Sequence, residues 1–322
     1  MKNEKRVWKN FYRKDKIRLK FNRLTSILKL KKLAIKPKYN NYRCKDLAET
    51  YERIAKIIEA GNPALIARFG SVEARALGEG IGIKLGAIQG FSEDALTTLH
   101  RNAGVFPYGK EMAMRFADIL ASSAKQVDLL GVWDTIFQEY LIKNVCSLDL
   151  TLTNLGNLEP YYGKNPWTSA LKGKKVLVIH PFKDTIESQY KKRKALFKDE
   201  NVLPEFDLKV LKAVQTIAGT KDDRFKDWED ALNFMYDEAM KIDFDVAIIG
   251  CGAYGMPLGA KLKESGKIAI HLGGATQILF GIMGNRWEAN AQITALQNEQ
   301  WTRPSEDERP KNAKAVEGAC YW

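Results

Sequence analysis

Short, continuous apolar runs that alternate with helical segments constrain the fold of this chain more than any other feature. The runs lie at 64–69, 127–132, 175–179, 245–249 and 267–271, with a weaker one at 210–214. Between them, helical apolar spacing occurs at 46–60, 109–124, 135–144, 185–197, 227–241 and 256–265. Strands that are apolar along their whole length are typical of a parallel sheet covered on both faces. The pattern predicts an α/β fold with an open, mostly parallel, Rossmann-like sheet flanked by helices.

Basic charge is concentrated at the N-terminus. Residues 1–40 contain fifteen Lys or Arg and only two acidic residues, whereas the rest of the chain has 36 basic and 37 acidic residues. In a helix, the spacing of the apolar residues gathers one stripe: Trp8, Phe11, Tyr12, Ile17, Phe21, Leu24 and Leu28. We therefore predict a basic amphipathic helical arm at 1–40 and a single α/β domain at 41–322, with Asn40 and Asn41 at the boundary and a polar C-terminal tail that wraps the domain.

The composition of the arm is typical of a helix that lies on an anionic membrane surface, where apolar groups enter the headgroup region and Lys and Arg attract the lipids. A flexible basic tail, or a helix docked on the protein's own body, fits the same composition. We expect no nucleic-acid partner, because no nucleic-acid-binding motif accompanies the charge. No stretch approaches the roughly 18 to 20 apolar residues of a membrane span, and the four scattered cysteines predict reduced thiols without zinc. We expect a cytoplasmic protein, peripheral on the inner face of the cell membrane.

A glycine-rich segment follows the apolar run at 245–249. Its sequence, GCGAYG from Gly250 to Gly255, matches the spacing GxGxxG. In an NAD-binding fold the next strand ends in an acidic residue that holds the ribose, but here it ends in His271, so we expect no NAD. Small residues at such a turn also let a diphosphate approach backbone N–H groups at a helix N-terminus. The alternative is that these glycines serve only tight packing.

Arg68 stands within the apolar run at 64–69, where a charged group needs a partner because its desolvation is costly. Glu73 lies in the first turn of the following helix, for which Ser71 is the predicted N-cap. Two interpretations remain open. In one, Arg68 and Glu73 form an internal ion pair that orders the turn. In the other, the guanidinium binds a phosphate or carboxylate, and Glu73 binds a metal or acts as a base.

Three features together resemble the bacterial GT-D-fold glycosyltransferases over roughly residues 45–285. They are RFGSVE at Arg68 to Glu73, a mid-chain apolar strand followed by Pro181, and the late glycine turn followed by a strand and Gly273-Gly274. The resemblance implies a hexosyltransferase that moves a sugar from a nucleotide-diphosphate donor, typically a UDP-sugar, to a glycan or glycolipid acceptor in surface polysaccharide or glycoprotein assembly. The family's common motif is RFGDGE, whose Asp-x-Glu is associated with a divalent metal. Here Ser71 replaces the Asp, so dependence on Mn²⁺ or Mg²⁺ is expected to be weak.

The candidate residues follow predicted strands, where ligands bind in open α/β sheets. Glu73 and Asp134 are the catalytic candidates, and Glu73 is also the candidate metal ligand. The donor-binding candidates are Arg68, Gly70, Ser71, His180, Gly250, Gly252, Ala253, Tyr254, Gly255, His271, Gly273, Gly274, Thr276 and Gln277. Structural roles remain alternatives for the histidines, as does N-capping for Thr276. Two other functions stay open: an NAD(P)-dependent oxidoreductase, and a non-catalytic protein that binds anions or membranes.

Overall fold

The computed structural model describes residues 2–37, 39, 43–315 and 318–322. In this part of the chain the strands are β1 (Cys44–Lys45), β2 (Ala64–Arg68), β3 (Leu129–Val132), β4 (Thr151–Asn154), β5 (Lys175–His180), β6 (Asp207–Lys212), β7 (Val246–Ile249) and β8 (Ile268–His271). The α-helices are α1 (Lys2–Ile27), α2 (Leu47–Ala60), α3 (Ser71–Lys84), α4 (Glu93–Arg101), α5 (Lys110–Lys125), α6 (Gln138–Asn144), α7 (Lys183–Tyr190), α8 (Arg193–Leu196), α9 (Trp228–Met240), α10 (Gly255–Glu264), α11 (Ala275–Leu279) and α12 (Ala291–Thr294).

The strands form one sheet with the order β1-β4-β3-β2-β8-β7-β5-β6, and every pairing is parallel. The predicted open parallel α/β fold is therefore confirmed. Two strands, β1 and β4, carry no apolar run in the sequence. β4 has the sequence TLTN, and its Thr153 hydroxyl bonds the Thr50 hydroxyl of α2 at 2.6 Å. A strand held by such polar contacts gives no apolar signal.

The sheet separates two apolar cores. Successive residues of a strand point to opposite faces, so Leu65 packs into one core and Ile66 into the other. The first core is covered mainly by α3, α5, α9 and α10, and the second by α2, α7 and the C-terminal segment. Trp301 and Trp322 of that segment are buried.

Helix α1 lies against the first of these layers through aromatic side chains. Trp8 is only 1% exposed, and its indole Nε1 donates to the Gly78 carbonyl of α3 at 2.8 Å. A side chain at Gly82 would collide with the Trp8 ring, so that glycine lets the two helices approach closely. Tyr12 stacks on Phe137, with ring centroids 5.1 Å apart. The first half of the arm is therefore part of the core.

A buried polar network fixes α1 further along. The Arg18 guanidinium donates to the Asp15 carboxylate at 2.8 Å and also pairs with Asp134 at the end of β3. Asp15 in turn accepts the Phe137 backbone N–H at 2.8 Å. Asn22 donates to the second Asp134 oxygen at 2.7 Å. Because these groups are bonded to one another, rolling the helix on the body would leave buried charges unpaired.

The prediction of a single apolar stripe on the arm is wrong. Trp8, Phe11 and Tyr12 pack against the body, whereas the aliphatic residues and phenylalanine at 17, 21, 24 and 28 are exposed on the opposite side of α1. Of the interpretations offered for the arm, a helix docked on the body describes α1. The predicted boundary at Asn40 and Asn41 lies outside the described residues. Within those residues, no helix has the length and apolarity needed to cross a bilayer.

Candidate functional site

A cavity of about 590 Å³ opens at the carboxyl edge of the sheet. Its walls come from the segments that follow β2, β3, β5, β6, β7 and β8. The chain leaves β5 toward β6 on one side and leaves β7 toward β8 on the other, so the connections diverge between these two adjacent strands. Crevices at such points are where open α/β sheets bind ligands, and the volume is typical of small-molecule sites.

Most of the predicted site residues line this cavity. Thirteen of the sixteen do so: Arg68, Gly70, Ser71, Glu73, His180, Gly250, Gly252, Ala253, Tyr254, His271, Gly273, Gly274 and Gln277. Gly255 and Thr276 lie behind the wall, and Asp134 faces the arm. The two segments singled out from the sequence, around Arg68 and around Gly252, are therefore brought together.

The Arg68 side chain is held at the cavity but not paired there. Its guanidinium carbon lies 5.8 Å from the Trp133 ring centroid, and Trp133 is fixed by donating to the Phe69 carbonyl at 2.8 Å. The Arg68 Nε is buried without a hydrogen-bond partner. Among the described residues, Arg68 and Glu73 form no ion pair. The internal ion pair is therefore not the arrangement seen, and the guanidinium can bind an anion.

Glu73 reaches the cavity because Gly70 has no side chain. A Cβ at Gly70 would collide with both carboxylate oxygens of Glu73, so the carboxylate folds back over that glycine. Helix α3 begins at Ser71 with Gly70 as its N-cap, which corrects the prediction that Ser71 is the cap. Of the described residues that line the cavity, Glu73 is the one with a carboxylate.

A divalent metal held by the protein does not fit this donor set. Mg²⁺ and Mn²⁺ favour several oxygen ligands, usually with more than one carboxylate or with substrate phosphates. The described residues contain no group of three His, Cys, Asp or Glu placed to hold a metal ion. With Ser71 at the usual Asp position, Glu73 has no second carboxylate beside it in the cavity. We assign no chemical step to a metal.

Two buried histidines, His180 and His271, end β5 and β8, and each is 3% exposed. Burial lowers the pKa of each imidazole to about 3, and the nearby Arg68 charge adds to the effect at His271. Both rings are therefore neutral at physiological pH. His180 Nδ1 accepts the Phe182 backbone N–H at 3.0 Å, which leaves its proton on Nε2.

The three glycines of the GCGAYG turn have different structural roles. A side chain at Gly250 would collide with His180 and Thr276, and one at Gly255 would collide with His271, so these two positions serve close packing. Gly252 has φ +59, and the position of its missing Cβ meets nothing within 4 Å. It belongs to a short 3₁₀ turn that leads directly into α10. Of the predicted phosphate contacts in this turn, those at the backbone around Gly252 therefore remain.

Polar atoms without partners are concentrated at the cavity. Of eight such buried side-chain atoms in the described residues, five belong to it or its wall: Arg68 Nε, His271 Nδ1, His271 Nε2, Thr276 Oγ1 and Gln277 Oε1. Thr276 lies inside α11, whose N-cap is Gly274, so it is not the cap that the sequence suggested. Buried polar groups are almost always hydrogen-bonded. The wall of the cavity is therefore the least satisfied polar region of the described residues.

Asp134 is placed differently from the prediction. Its carboxylate oxygens are bonded to Arg18 and Asn22 of α1, and the residue does not line the cavity. This placement, outside the cavity, disagrees with the prediction that Asp134 is a catalytic residue. Its neighbour Trp133 does line the cavity, so Asp134 connects the arm to the site without entering it.

A family model described as a GT-D fold-like domain matches residues 45–279. The chain belongs to the GT-D-like family. The match confirms the resemblance seen in the sequence motifs, and the protein has a GT-D-like glycosyltransferase fold. None of the curated proteins matches the chain.

Solved structures similar to this GT-D-like protein share little sequence with it. One is a structure of the highly conserved domain of unknown function 1792, which is described as having a distinct glycosyltransferase fold. The two chains are 14% identical, the alignment covers 82% of this chain and 96% of the other, and the TM-score is 0.43. Another is described as a new glycosyltransferase of the same domain from Streptococcus sanguinis, at 9% identity, 83% and 96% coverage, and a TM-score of 0.45.

The GT-D-like cavity also contains residues that the sequence did not reveal. Arg286 lines it, with its guanidinium carbon 4.5 Å from the Tyr321 ring and Nη1 donating to the Tyr321 hydroxyl at 3.1 Å. Gln215 and Thr216, after β6, line the wall beside the glycine turn. For Gln215 and Thr216, the only signal in the sequence was their position after a strand. For Arg286 and Tyr321 even that was missing, because the C-terminal tail brings them to the cavity.

The two neutral histidines make stability depend on pH. In the unfolded chain each histidine has a pKa near 6.5, whereas burial keeps the pKa of each at about 3 in the folded chain. As the pH falls below 6.5, protons bind the unfolded chain and thereby lower the free energy of unfolding. The contribution of the two neutral histidines to the free energy of unfolding is fully present above pH 6.5. Between pH 7 and 5 we expect the pair to lower the free energy of unfolding by about 4 kcal/mol. Urea denaturation at several pH values measures this. His180→Asn combined with His271→Asn should flatten the pH slope, and an unchanged slope would contradict the assignment.

Proposed function

We propose that this GT-D-like protein is a glycosyltransferase, of the hexosyltransferase type, that uses a nucleotide-diphosphate sugar. The observation that carries the proposal is Arg68, a guanidinium without an ion-pair partner among the described residues that lines the cavity at the carboxyl edge of this fold. We further propose a UDP-sugar as donor, and a glycan or glycolipid of surface polysaccharide or glycoprotein assembly as acceptor. The resemblance of the RFGSVE and glycine-turn motifs supports both choices.

The donor diphosphate fits between the two segments that the cavity brings together. Arg68 supplies a guanidinium that can bind two phosphate oxygens. The backbone at Gly252 and the start of α10 supply N–H groups and the positive end of a helix dipole. Arg286 adds a second guanidinium to the lining. Anionic phosphates would thereby gain guanidinium and backbone N–H partners.

Sugar transfer requires stabilisation of the leaving group. The bond between the anomeric carbon and the diphosphate oxygen breaks, a bond from that carbon to an acceptor oxygen forms, and the acceptor hydroxyl loses its proton. Arg68 and the Gly252 backbone stabilise the negative charge that develops on the leaving diphosphate. Glu73, the carboxylate of the cavity, accepts the acceptor proton or stabilises the positive charge on the sugar. The neutral imidazoles of His180 and His271 can only contribute hydrogen bonds.

The arm suggests where the reaction takes place. We propose an anionic membrane surface as a partner of residues 1–40, which would place the enzyme at the inner face of the cell membrane. The support is the excess of thirteen positive charges in this segment, fifteen basic against two acidic residues. Lys and Arg near such a surface each add attraction to anionic lipid.

If Arg68 binds the donor phosphates, Arg68→Ala should weaken binding of UDP by about 10- to 100-fold, as expected for the loss of charge-assisted hydrogen bonds. Isothermal titration calorimetry measures the affinity. The matched control is Arg75→Ala, which removes another partly exposed guanidinium, one paired with Asp94. Both variants should keep a native thermal melt. A large loss of stability in Arg68→Ala with unchanged UDP affinity would show that Arg68 is structural.

Glu73→Gln tests the chemical step separately from binding. The substitution keeps the shape of the side chain and removes its charge, so transfer to acceptor should fall by about 100-fold or more, while UDP affinity changes little. The rate is measured as sugar transfer or, without acceptor, as donor hydrolysis. Because Ser71 leaves Glu73 without a carboxylate neighbour, a chelator is expected to leave the rate unchanged. Full activity in Glu73→Gln would remove this residue from the mechanism.

Gly252→Val tests the approach of phosphate to the backbone. The new side chain would occupy the open space beside the turn, so UDP binding should be lost. Gly61→Val is the matched control, because Gly61 also has a left-handed φ, +71, and open space around its Cβ position, but lies at the end of α2. Both variants bear similar backbone strain, of about 1 to 3 kcal/mol. Equal UDP affinity in the two would contradict the proposed subsite, and tight NADH binding by the unaltered protein would favour an oxidoreductase.

A further inference from the structure

The outward side of α1 and the segment after it form an exposed apolar surface. Eight of the eleven large apolar side chains that are exposed in the described residues lie here, with exposed fractions from 39% for Phe21 to 68% for Ile27. We name these eight the outer face: Ile17, Phe21, Leu24, Ile27, Leu28, Leu30, Leu33 and Ile35. Single exposed apolar residues need no explanation, but a continuous patch marks an interaction surface.

The docking of α1 keeps the outer face turned to solvent. Trp8, Arg18 and Thr25 on the other side of the helix are buried against the body. The segment after the helix is also fixed, because the Asn22 side chain both donates to the Ile35 carbonyl at 2.9 Å and accepts the Ile35 N–H at 2.7 Å. The protein therefore presents this apolar surface in its folded state.

Positive charge surrounds the outer face. Residues 16–45 contain no Asp or Glu. The exposed basic side chains of this stretch whose placement is described are Lys16, Lys20, Arg23, Lys29, Lys32, Lys36 and Arg43. An apolar strip on a segment whose own charged residues are all cations matches an anionic lipid surface, whose headgroups attract the cations while its interior accepts the aliphatic groups.

We propose that the outer face is the lipid-contacting surface of the protein. In this position it holds the cavity next to an anionic bilayer, and the acceptor glycan is anchored in that bilayer. A second copy of the chain is a poorer occupant, because pairing two such faces would bring like charges together. A nucleic acid is also a poorer one, since Phe21 is the sole exposed aromatic ring of the face and base stacking needs such rings.

The position of the outer face relative to the cavity supports an anchored acceptor. Asn22 bonds Asp134 at 2.7 Å, and the Tyr39 hydroxyl donates to the Trp133 carbonyl at 3.5 Å. Trp133 lines the cavity. The two ends of the segment that carries Leu24 to Ile35 are thus attached beside the cavity, at the carboxyl edge of the sheet. This acceptor class rests on the proposed function, whereas the lipid contact does not.

Vesicle sedimentation tests the surface without donor or acceptor. The full chain should bind vesicles of equal parts phosphatidylglycerol and phosphatidylcholine, and should bind pure phosphatidylcholine far less. Ile17→Ser with Leu24→Ser should lower the partition coefficient about tenfold or more. The matched control is Leu148→Ser with Met240→Ser, which removes two exposed apolar residues elsewhere on the surface. Unchanged binding in the first pair, or an equal loss in the control, would overturn the proposal.

Charge and self-association are tested in parallel. Lys20→Gln with Lys32→Gln should weaken vesicle binding by about fivefold for each charge removed, whereas Lys191→Gln with Lys198→Gln, at exposed positions elsewhere, should not. Added salt should weaken the binding of the full chain.

Sedimentation velocity without lipid should give a monomer. A dimer abolished by Ile17→Ser with Leu24→Ser would assign the face to a second copy and overturn the lipid proposal.

The orientation of the cavity is tested with a fluorophore and headgroup-quenching lipid. Ser71 is exposed at the cavity, and Lys172 is exposed at the opposite edge of the sheet, just before β5. Labels are placed at Ser71→Cys or Lys172→Cys, after the half-buried Cys44 and Cys146 are replaced by Ser. Stronger quenching at position 71 supports a membrane-anchored acceptor. Equal or reversed quenching would overturn that acceptor class, even if vesicle binding and UDP binding both held.

Discussion

The parallel alignment of the strands is the constraint on which the rest of this structure depends. When all strands run the same way, their carboxyl ends meet at one edge, and every connecting segment that leaves a strand starts there. Arg68, His180 and His271 are each the last residue of a strand, and Gly250 directly follows another. Residues separated by about two hundred positions in sequence are thereby gathered into one cavity, with polar atoms that the protein itself does not satisfy.

Arg18 extends this arrangement to the N-terminal helix. Its side chain is 3% exposed and lies between the carboxylates of Asp15 and Asp134, so the pair of opposite charges is buried at the junction of α1 with β3. Removing one partner of a buried ion pair typically costs about 3 to 5 kcal/mol. The helix is therefore tied to the residue next to Trp133, and the exposed surface of α1 and the wall of the cavity are parts of one rigid junction.

The sequence predicts features that depend on local patterns and misses those that depend on distant partners. Apolar runs locate β2, β5, β7 and β8, and position after a strand is enough to select Arg68, Glu73 and Gly252. Helical spacing correctly predicts a helix in the arm, but it cannot show that the aromatic residues of α1 pack against α3. That division of the stripe depends on Gly78, Gly82 and Phe137, which lie far along the chain.

The same limit explains the errors at the site. Asp134 follows a strand, as a site residue should, yet Arg18, more than a hundred residues earlier in the chain, binds it outside the cavity. Arg286 and Tyr321 carry no motif, and only the path of the C-terminal tail brings them to the cavity. Partner choice between charged groups is decided by three-dimensional proximity, for which a single sequence gives no signal.

The charge of the cavity follows from one departure in its first motif. With Ser71 where the family's common motif has Asp, the charged residues that line the cavity, within the described chain, are Arg68, Arg286 and Glu73. Burial keeps His180 and His271 neutral by lowering their pKa values to about 3. Two guanidinium groups and one carboxylate thus line the cavity. An Asp at position 71 would place a second carboxylate beside Glu73, so the serine removes the acidic pair that a divalent cation favours and leaves the arginines as the cationic groups of the cavity.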